Sequence, residues 1–291
     1  MSDATTDLAT LSTAVADLAA ATAPSVVEVS SHSLLASGFF WRENLIVTAD
    51  ETLADAGKIE IEQADGSVHP ATLVGRDATT DIALLRVEAA PGVPVAFSAV
   101  PRPGSLALAI GAANSAQLVA FGAVAAVEGP WRSMRGGEIA SRIELDLRLR
   151  GRGQGGLALS ADGSVIGMAV QGPRRRALVI PGETVDRVAA ILLENGRIPR
   201  GYLGLGLKEV VAPDGKTGGI VLAVEEGGPA HAAGLLQGDV IVSWNGSPVD
   251  SVGHLLRTLR FTAIGTSIQL GIRRGGEGVD VAITVGERPR A

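Results

Sequence analysis

From Ser25 to about Pro181 the sequence is a succession of short β-branched or alternating runs: SVVEVSS, NLIVTAD, KIEIEQADG, ATLVG, IALLRVE, LALAIG, RIELDL and SVIGMAV. Gly, Pro, Asn and Asp separate them, so each run is closed by a turn before a helix can form. That many short strands restrict the stretch to an all-β barrel or sandwich. Helical periods flank it on both sides. Leu8, Leu11, Val15 and Leu18 recur at spacings of three and four and stop at Pro24, which predicts an amphipathic helix packed on the following domain. Val185, Val188, Ala189 and Leu192 predict a second helix, closed by Asn195 and Gly196.

Beyond Arg200 the runs GYLGLGL, GGIVLAV, DVIVSWNG, SIQLGIRR and VDVAITVG alternate with short helical stretches near Pro229 to Leu235 and Val252 to Arg260. This is the pattern of a compact α+β domain, with Asn245-Gly246 as a turn. The expected division is an N-terminal helical segment at 1–24, a β domain at 25–182, a connecting helix at 183–199 and a second domain at 200–291. A length of 291 residues agrees with two domains, and the fold class is mainly β.

Composition removes several function classes. With 46% hydrophobic and 19% charged residues, the chain has enough apolar surface to fold. Its lack of cysteine excludes disulfides, thiolate nucleophiles and Cys-ligated metals. A formal charge of -6 argues against nucleic acid as a partner. No apolar run approaches the roughly 18 residues needed for a membrane span. The acidic opening residues, with Asp17 interrupting the apolar stretch, lack the pattern of a secretory signal, which points to the cytoplasm, or to the periplasm if a leader has been removed.

GYLGLGL, GGPAHAAGLLQGDVIVSWNG and VDSVGHLLRTL, in this order, resemble a bacterial PDZ domain. The resemblance implies capture of peptide or protein C-termini in a groove made by Tyr202, Leu203, Gly204, Leu205 and Leu207 and by a helix carrying Val252, Leu256 and Leu259. In that reading the Leu203-Gly204 backbone holds the terminal carboxylate and the strand after it offers an edge for β-augmentation. An apolar helix stripe also fits plain core, and His254 reads as solvated surface.

An all-β region, a helix and a PDZ domain together resemble trypsin-like proteases of the HtrA family, and SVVEV, SGFFWRENLIVTA, DGSVHPATLVGRDATTDIALLRVE, LALAIG, GSVIGMAV and VIP resemble that family's blocks in order. The resemblance implies a double β-barrel and positions for a catalytic triad. Asp81-Ile82-Ala83-Leu84-Leu85 matches the block of the triad aspartate, whereas Glu51 stands where the histidine is expected and Gln154 where the serine is expected. Arg152 matches the oxyanion-hole glycine. His32, His69, His231 and His254 do not match the base.

On this reading the chain is expected to be no enzyme but an HtrA-like pseudoprotease, a peptide-binding scaffold or regulator. The alternative is a serine-type endopeptidase of protein quality control. A carboxylate or metal site at Glu51, Asp81 and Asp50 is the third reading, and neither cofactor nor metal is expected. Arg148, Arg150 and Arg152 alternate before Gln154, and Arg174, Arg175 and Arg176 lie in a loop beside the implied substrate pocket, after Asp146. These arginines are expected either to neutralise Glu51 and Asp81 or to receive an acidic ligand. Phe39-Phe40-Trp41 reads as barrel packing or an oligomer contact, and the resemblance allows a homotrimer.

Overall fold

The computed structural model describes residues 2–289 apart from residues 56, 89, 91, 99, 173–175, 212–216 and 263. The chain divides into two compact units, Met1–Ile198 and Pro199–Ala291. The first opens with helix α1 (Ser2–Thr22), stopped by a turn at Ala23–Ser25 that holds Pro24. Its second half is anchored: Val15 and Leu18 pack on the core and Gln117 donates to the Ala19 carbonyl at 2.6 Å, whereas Leu8 stays exposed.

Strands β1 (Val26–Ser31), β2 (Leu34–Arg42), β3 (Leu45–Thr48), β4 (Ile59–Glu62), β5 (Val68–Asp77) and β6 (Ile82–Val87) close into an antiparallel barrel in the order β1-β2-β3-β6-β5-β4. Strands β7 (Leu106–Ala113) and β8 (Ala116–Glu128) follow, then the small hairpin β9 (Trp131–Arg132) and β10 (Glu138–Ile139). With β11 (Arg142–Arg148), β12 (Leu157–Ser160), β13 (Val165–Gln171) and β14 (Arg176–Pro181) they complete a second barrel, β11-β14-β13-β12-β7-β8. Closure leaves no sheet edge open. This is the double barrel that the HtrA resemblance implies, where the strand spacing alone allows a barrel or a sandwich.

Alternation explains the continuous apolar runs. Phe40, Ile46 and Leu85 fill the first barrel, while their neighbours Phe39, Val47 and Leu84 point out of it into a core shared with Leu108, Ile110, Leu157 and Met168 of the second. Strands buried on both faces read as unbroken apolar sequence rather than alternation. Phe39, Phe40 and Trp41 are therefore packing residues, and the Trp41 indole donates to Asp186 at 2.6 Å. Helix α2 (Gly182–Asn195) adds Val185, Val188, Ala189 and Leu192 to that core and ends at Gly196 with φ 71, a left-handed cap open to glycine.

The second unit contains β15 (Gly201–Tyr202), β16 (Leu205–Val211), β17 (Thr217–Val224), helix α3 (Pro229–Ala232), β18 (Val240–Trp244), β19 (Ser247–Pro248), helix α4 (Val252–Phe261), β20 (Ser267–Arg274), β21 (Glu277–Thr284) and β22 (Gly286–Glu287). The sheet runs β16-β17-β18-β20-β21, so β16 is an edge. Asn245 and Gly246, both with positive φ, make the expected turn between β18 and β19. Asp239 is buried and accepts a bidentate pair from Arg274, with contacts of 2.8 and 2.7 Å. The guanidinium bond holds the Asp239 carboxyl below its ordinary range, against the opposing effect of burial.

Removing the cation leaves a buried charge without its partner. Arg274→Met is expected to lower stability at pH 7 by about 1–3 kcal/mol. The wild-type advantage is full above the ordinary carboxylate value near 4 and shrinks as pH falls through the depressed folded value, which melts at pH 7 and pH 3 will check.

Candidate functional site

At the cleft between the barrels, sequence-distant groups meet around Glu51, Asp81 and Gln154. Glu51 sits in a turn, Asp50–Thr52, just after β3. Its backbone N–H donates to Asp81 Oδ1 at 2.8 Å, and its carboxylate accepts from the Gln154 side-chain amide. Asp81 precedes β6 with φ 59, a left-handed conformation that Asp tolerates because its short polar side chain bonds locally. Before it, Asp77 organises the loop by accepting from Thr79 N at 3.0 Å, Thr79 Oγ1 at 2.7 Å and Thr80 Oγ1 at 2.7 Å.

Gln154 is buried and closes a 3₁₀ turn at Gly151–Gly153. Within that strap Gly153 N donates to the Arg150 carbonyl at 2.8 Å and Gln154 N to the Gly151 carbonyl at 3.2 Å. These N–H groups are therefore engaged by the chain itself. Gly155 follows with φ +84, and a Cβ there would lie 2.3 Å from the Ser37 carbonyl oxygen, so close backbone approach requires glycine. Arg152, in contrast, has no positive φ; its side chain reaches Asn114 Oδ1 at 3.1 Å and Glu28 at 3.8 Å.

Charge in the cleft is unevenly balanced. Asp50 is buried but paired with Arg76, whose Nη2 also donates to the Asp50 carbonyl at 3.1 Å. Burial pushes the Asp81 carboxyl up to about 7; the Glu51 N–H opposes the rise, while the Glu51 and Asp50 carboxylates add to it. Among the described residues no group of His, Asp and Glu is arranged to hold a metal ion.

The expected neutralisation of Glu51 and Asp81 by arginines is corrected. Arg148, Arg150 and Arg176 are exposed and make no ion pair with either carboxylate, because Glu51 turns to Gln154 and Asp81 to the Glu51 backbone. Arg174 and Arg175 lie outside the described residues. Sequence reasoning missed Arg76 and Ser37, since nothing local to them signals a contact across the fold.

In the second unit a cavity of about 290 Å³ lies beside β16 and α4. Tyr202, Leu203, Gly204, Leu205, Leu207, Leu256 and Leu259 line it as expected, together with Leu255, Arg200 and Arg288, which sequence reasoning missed. Val252 does not line this cavity: its Cγ2 faces Gly219 of β17, 3.4 Å from where a Cβ would stand, and its N–H donates to Glu209 at 3.1 Å. The helix stripe is split, with Leu255 and Leu259 buried in the core and Leu256 48% exposed. The loop is held in place through its carbonyls: that of Leu203 accepts from Ala230 N at 2.8 Å and that of Gly204 from Glu225 N at 2.9 Å.

The Asp81 geometry generates a pH prediction. Its folded pKa, about 7, exceeds the ordinary 3.8, so the folded state keeps a proton that the unfolded state loses in that window. Stability from this group is full below about 4 and is lost as pH rises through 7. Asp81→Asn, which keeps the acceptor without the charge, is expected to melt as the wild type does at pH 4 and higher than the wild type at pH 8.

Comparison with known proteins places this geometry in context. Residues 36–168 match the model of the trypsin-like peptidase domain, and residues 201–285 that of the PDZ domain. The chain is 29% identical over 264 residues to a probable periplasmic serine endoprotease DegP-like of Chlamydia pneumoniae, covering 85% of this chain and 54% of that protein. It is 30% identical over 257 residues to the periplasmic pH-dependent serine endoprotease DegQ of Escherichia coli (strain K12), covering 82% and 56%. The chain thus spans about half the length of these curated relatives. The solved structure of the HtrA-type protease AlgW with tripeptide matches with TM-score 0.62 and 27% identity over 95% of this chain and 98% of that one. Two expectations are overturned. The names of the relatives point to a protease, against the reading of no enzyme, which had been drawn from Glu51 and Gln154 alone. They also point to the periplasm, against a cytoplasmic location inferred from the charge of the opening residues. In fold and domain content the chain is of the HtrA/DegP type, a trypsin-like peptidase domain followed by a PDZ domain.

Proposed function

We propose that this chain recognises polypeptides in the periplasm by capturing their C-terminal ends in the PDZ groove, within an HtrA-type assembly devoted to protein quality control. The observation that carries this reading is the cavity beside the edge strand β16, with the Leu203-Gly204 loop at one end. A strand edge supplies main-chain hydrogen bonds to an extended peptide, apolar side chains from Leu255, Leu256 and Leu259 supply a pocket, and backbone N–H groups suit a carboxylate. The net charge of -6 supports peptides rather than nucleic acid as ligands. The working division is 25–182 for the peptidase-like domain, 183–199 for the connecting helix and 200–291 for the PDZ domain. A homo-oligomer, such as a trimer, fits this reading.

Serine-type endopeptidase activity is the reading that the relatives' names support. In this chain Glu51, Asp81 and Gln154 stand at the proposed positions of base, acid and nucleophile, with Arg152 at that of the oxyanion-hole glycine. An amide such as that of Gln154 carries no hydroxyl for a base to activate, so the role of this contact is open to direct measurement. Hydrolysis of casein by Glu51→His with Gln154→Ser is expected to exceed that of the wild type, and addition of Arg152→Gly is expected to raise it again by freeing the strap. A double variant no faster than the wild type shows that positions 51 and 154 are not those of a base and a nucleophile.

Peptide capture makes its own prediction. Amidating the C-terminus of a bound peptide is expected to weaken binding about 10- to 100-fold, because charge-assisted hydrogen bonds contribute ~1.5–3 kcal/mol. Gly204→Val is expected to act in the same direction, since φ is +74 at that residue and a β-branched side chain disfavours that backbone. Fluorescence anisotropy over a C-terminal peptide library measures both. Equal affinity for free and amidated forms of every binder overturns the reading.

A further inference from the structure

Among the described residues of the second barrel, three arginines make no ion pair with its carboxylates. Arg148 and Arg176 are direct partners across the β11 and β14 ladder, and like charges directly opposite each other weaken a sheet. Arg150 follows two residues after Arg148, just beyond β11 but still in extended backbone, and it is exposed while Leu147 and Leu149 are buried. All three arginines are exposed, and among the described residues none has a hydrogen bond or ion pair from its side chain. Several other arginines of this unit are engaged: Arg76 with Asp50, Arg142 with Glu144, and Arg152 with Asn114 and Glu28. Neighbouring carboxylates are fewer than the arginines. Glu51 accepts from Gln154 and Glu28 from Asn114 N at 2.9 Å, and exposed Asp146, two residues before Arg148 and within the register shift between Leu145 and Arg148, is a single carboxylate beside three arginines.

Space adjoins the charge. Arg148 and Arg150 line a cavity of about 230 Å³ with Gln117, Leu118, Leu149 and Gly153, and Gly153 is the residue before Gln154. We propose that the face formed by Arg148, Arg150 and Arg176 is a subsite for an acidic polypeptide segment, reading Asp or Glu side chains beside the cleft. Guanidinium forks match carboxylates in a bidentate geometry. Side chains on one face of a strand repeat at about 6.8 Å, the repeat that an extended peptide also presents, so alternate carboxylates of such a segment can meet Arg148 and Arg150 in turn. This subsite is separate from the PDZ groove and does not depend on it.

The test uses the full chain and a fluorescein-labelled peptide of alternating Glu and Ala, amidated at its C-terminus so that it carries no chain-end carboxylate. Anisotropy is expected to show at least tenfold tighter binding than for the same peptide with Gln in place of Glu, and the difference is expected to shrink as salt is added. Arg148→Gln with Arg176→Gln is expected to lose tenfold or more in affinity while its melting temperature holds or rises, because an unfavourable pair is removed. Arg148→Lys with Arg176→Lys is expected to keep the salt dependence but to bind several-fold more weakly, since an ammonium does not form the bidentate pair. Equal affinity for the Glu and Gln peptides overturns the proposal, as does unchanged binding by the folded Gln variant. Full displacement by millimolar inorganic phosphate overturns it as well, and so does tighter binding of a single-stranded oligonucleotide than of the peptide. The wild-type peptide comparison decides the matter if the Gln variant fails to fold.

Discussion

Besides the apolar core they share, the two barrels and the strap that bears Gln154 are bridged by one buried residue, Ser37. Ser37 Oγ donates to the Arg152 carbonyl at 2.6 Å and accepts from Ala112 N at 2.9 Å, while Ser37 N donates to the Gln154 carbonyl at 2.9 Å and the Ser37 carbonyl accepts from Thr48 Oγ1 at 2.7 Å. A buried polar group left without a partner costs about 1–3 kcal/mol, so these bonds must form together or not at all. That constraint fixes β2 of the first barrel to β7 of the second and fixes both to the strap. The position of Gln154 opposite Glu51 follows from it.

Acidic groups buried by this framework meet two fates. Asp50 and Asp239 each find a guanidinium, Arg76 and Arg274 respectively, and their charges are held in place by hydrogen bonds as well as attraction. Asp81 has no such guanidinium bond: burial, opposed by one backbone N–H and reinforced by two neighbouring carboxylates, is why its proton is retained to near neutrality. Paired carboxylates hold structure; an unpaired one under the same burial becomes a titrating group at the cleft.

Much of the fold was legible in the sequence. Short strands, the helix over Val185 to Leu192, the Asn245-Gly246 turn and the PDZ blocks are local signals, carried by period and turn chemistry that act over a few residues. Long-range contacts were not legible. Nothing around Ser37 announces a bond to Arg152, and nothing around Arg76 announces Asp50. The α4 stripe shows the limit of periodicity: Val252, Leu256 and Leu259 fit a helical repeat as well as Leu255 and Leu259 do, and only tertiary packing decides that Leu255 is core. Arginine partners were misjudged for a related reason, since charge alternation along β11 does not reveal that Glu51 is already engaged by Gln154.

Barrel closure also sets the order in which this chain can acquire its structure. The β7 and β8 hairpin is local, yet β7 must wait for β12, with Ile110 meeting Leu157 only after β8 to β11 have been made. Pairings so distant along the chain pay loop entropy before any contact rewards it, which makes them slow. Until β12 arrives, β7 stands as a bare apolar edge able to pair with a neighbouring chain. A nascent copy thus carries an unpaired apolar edge until the second barrel closes.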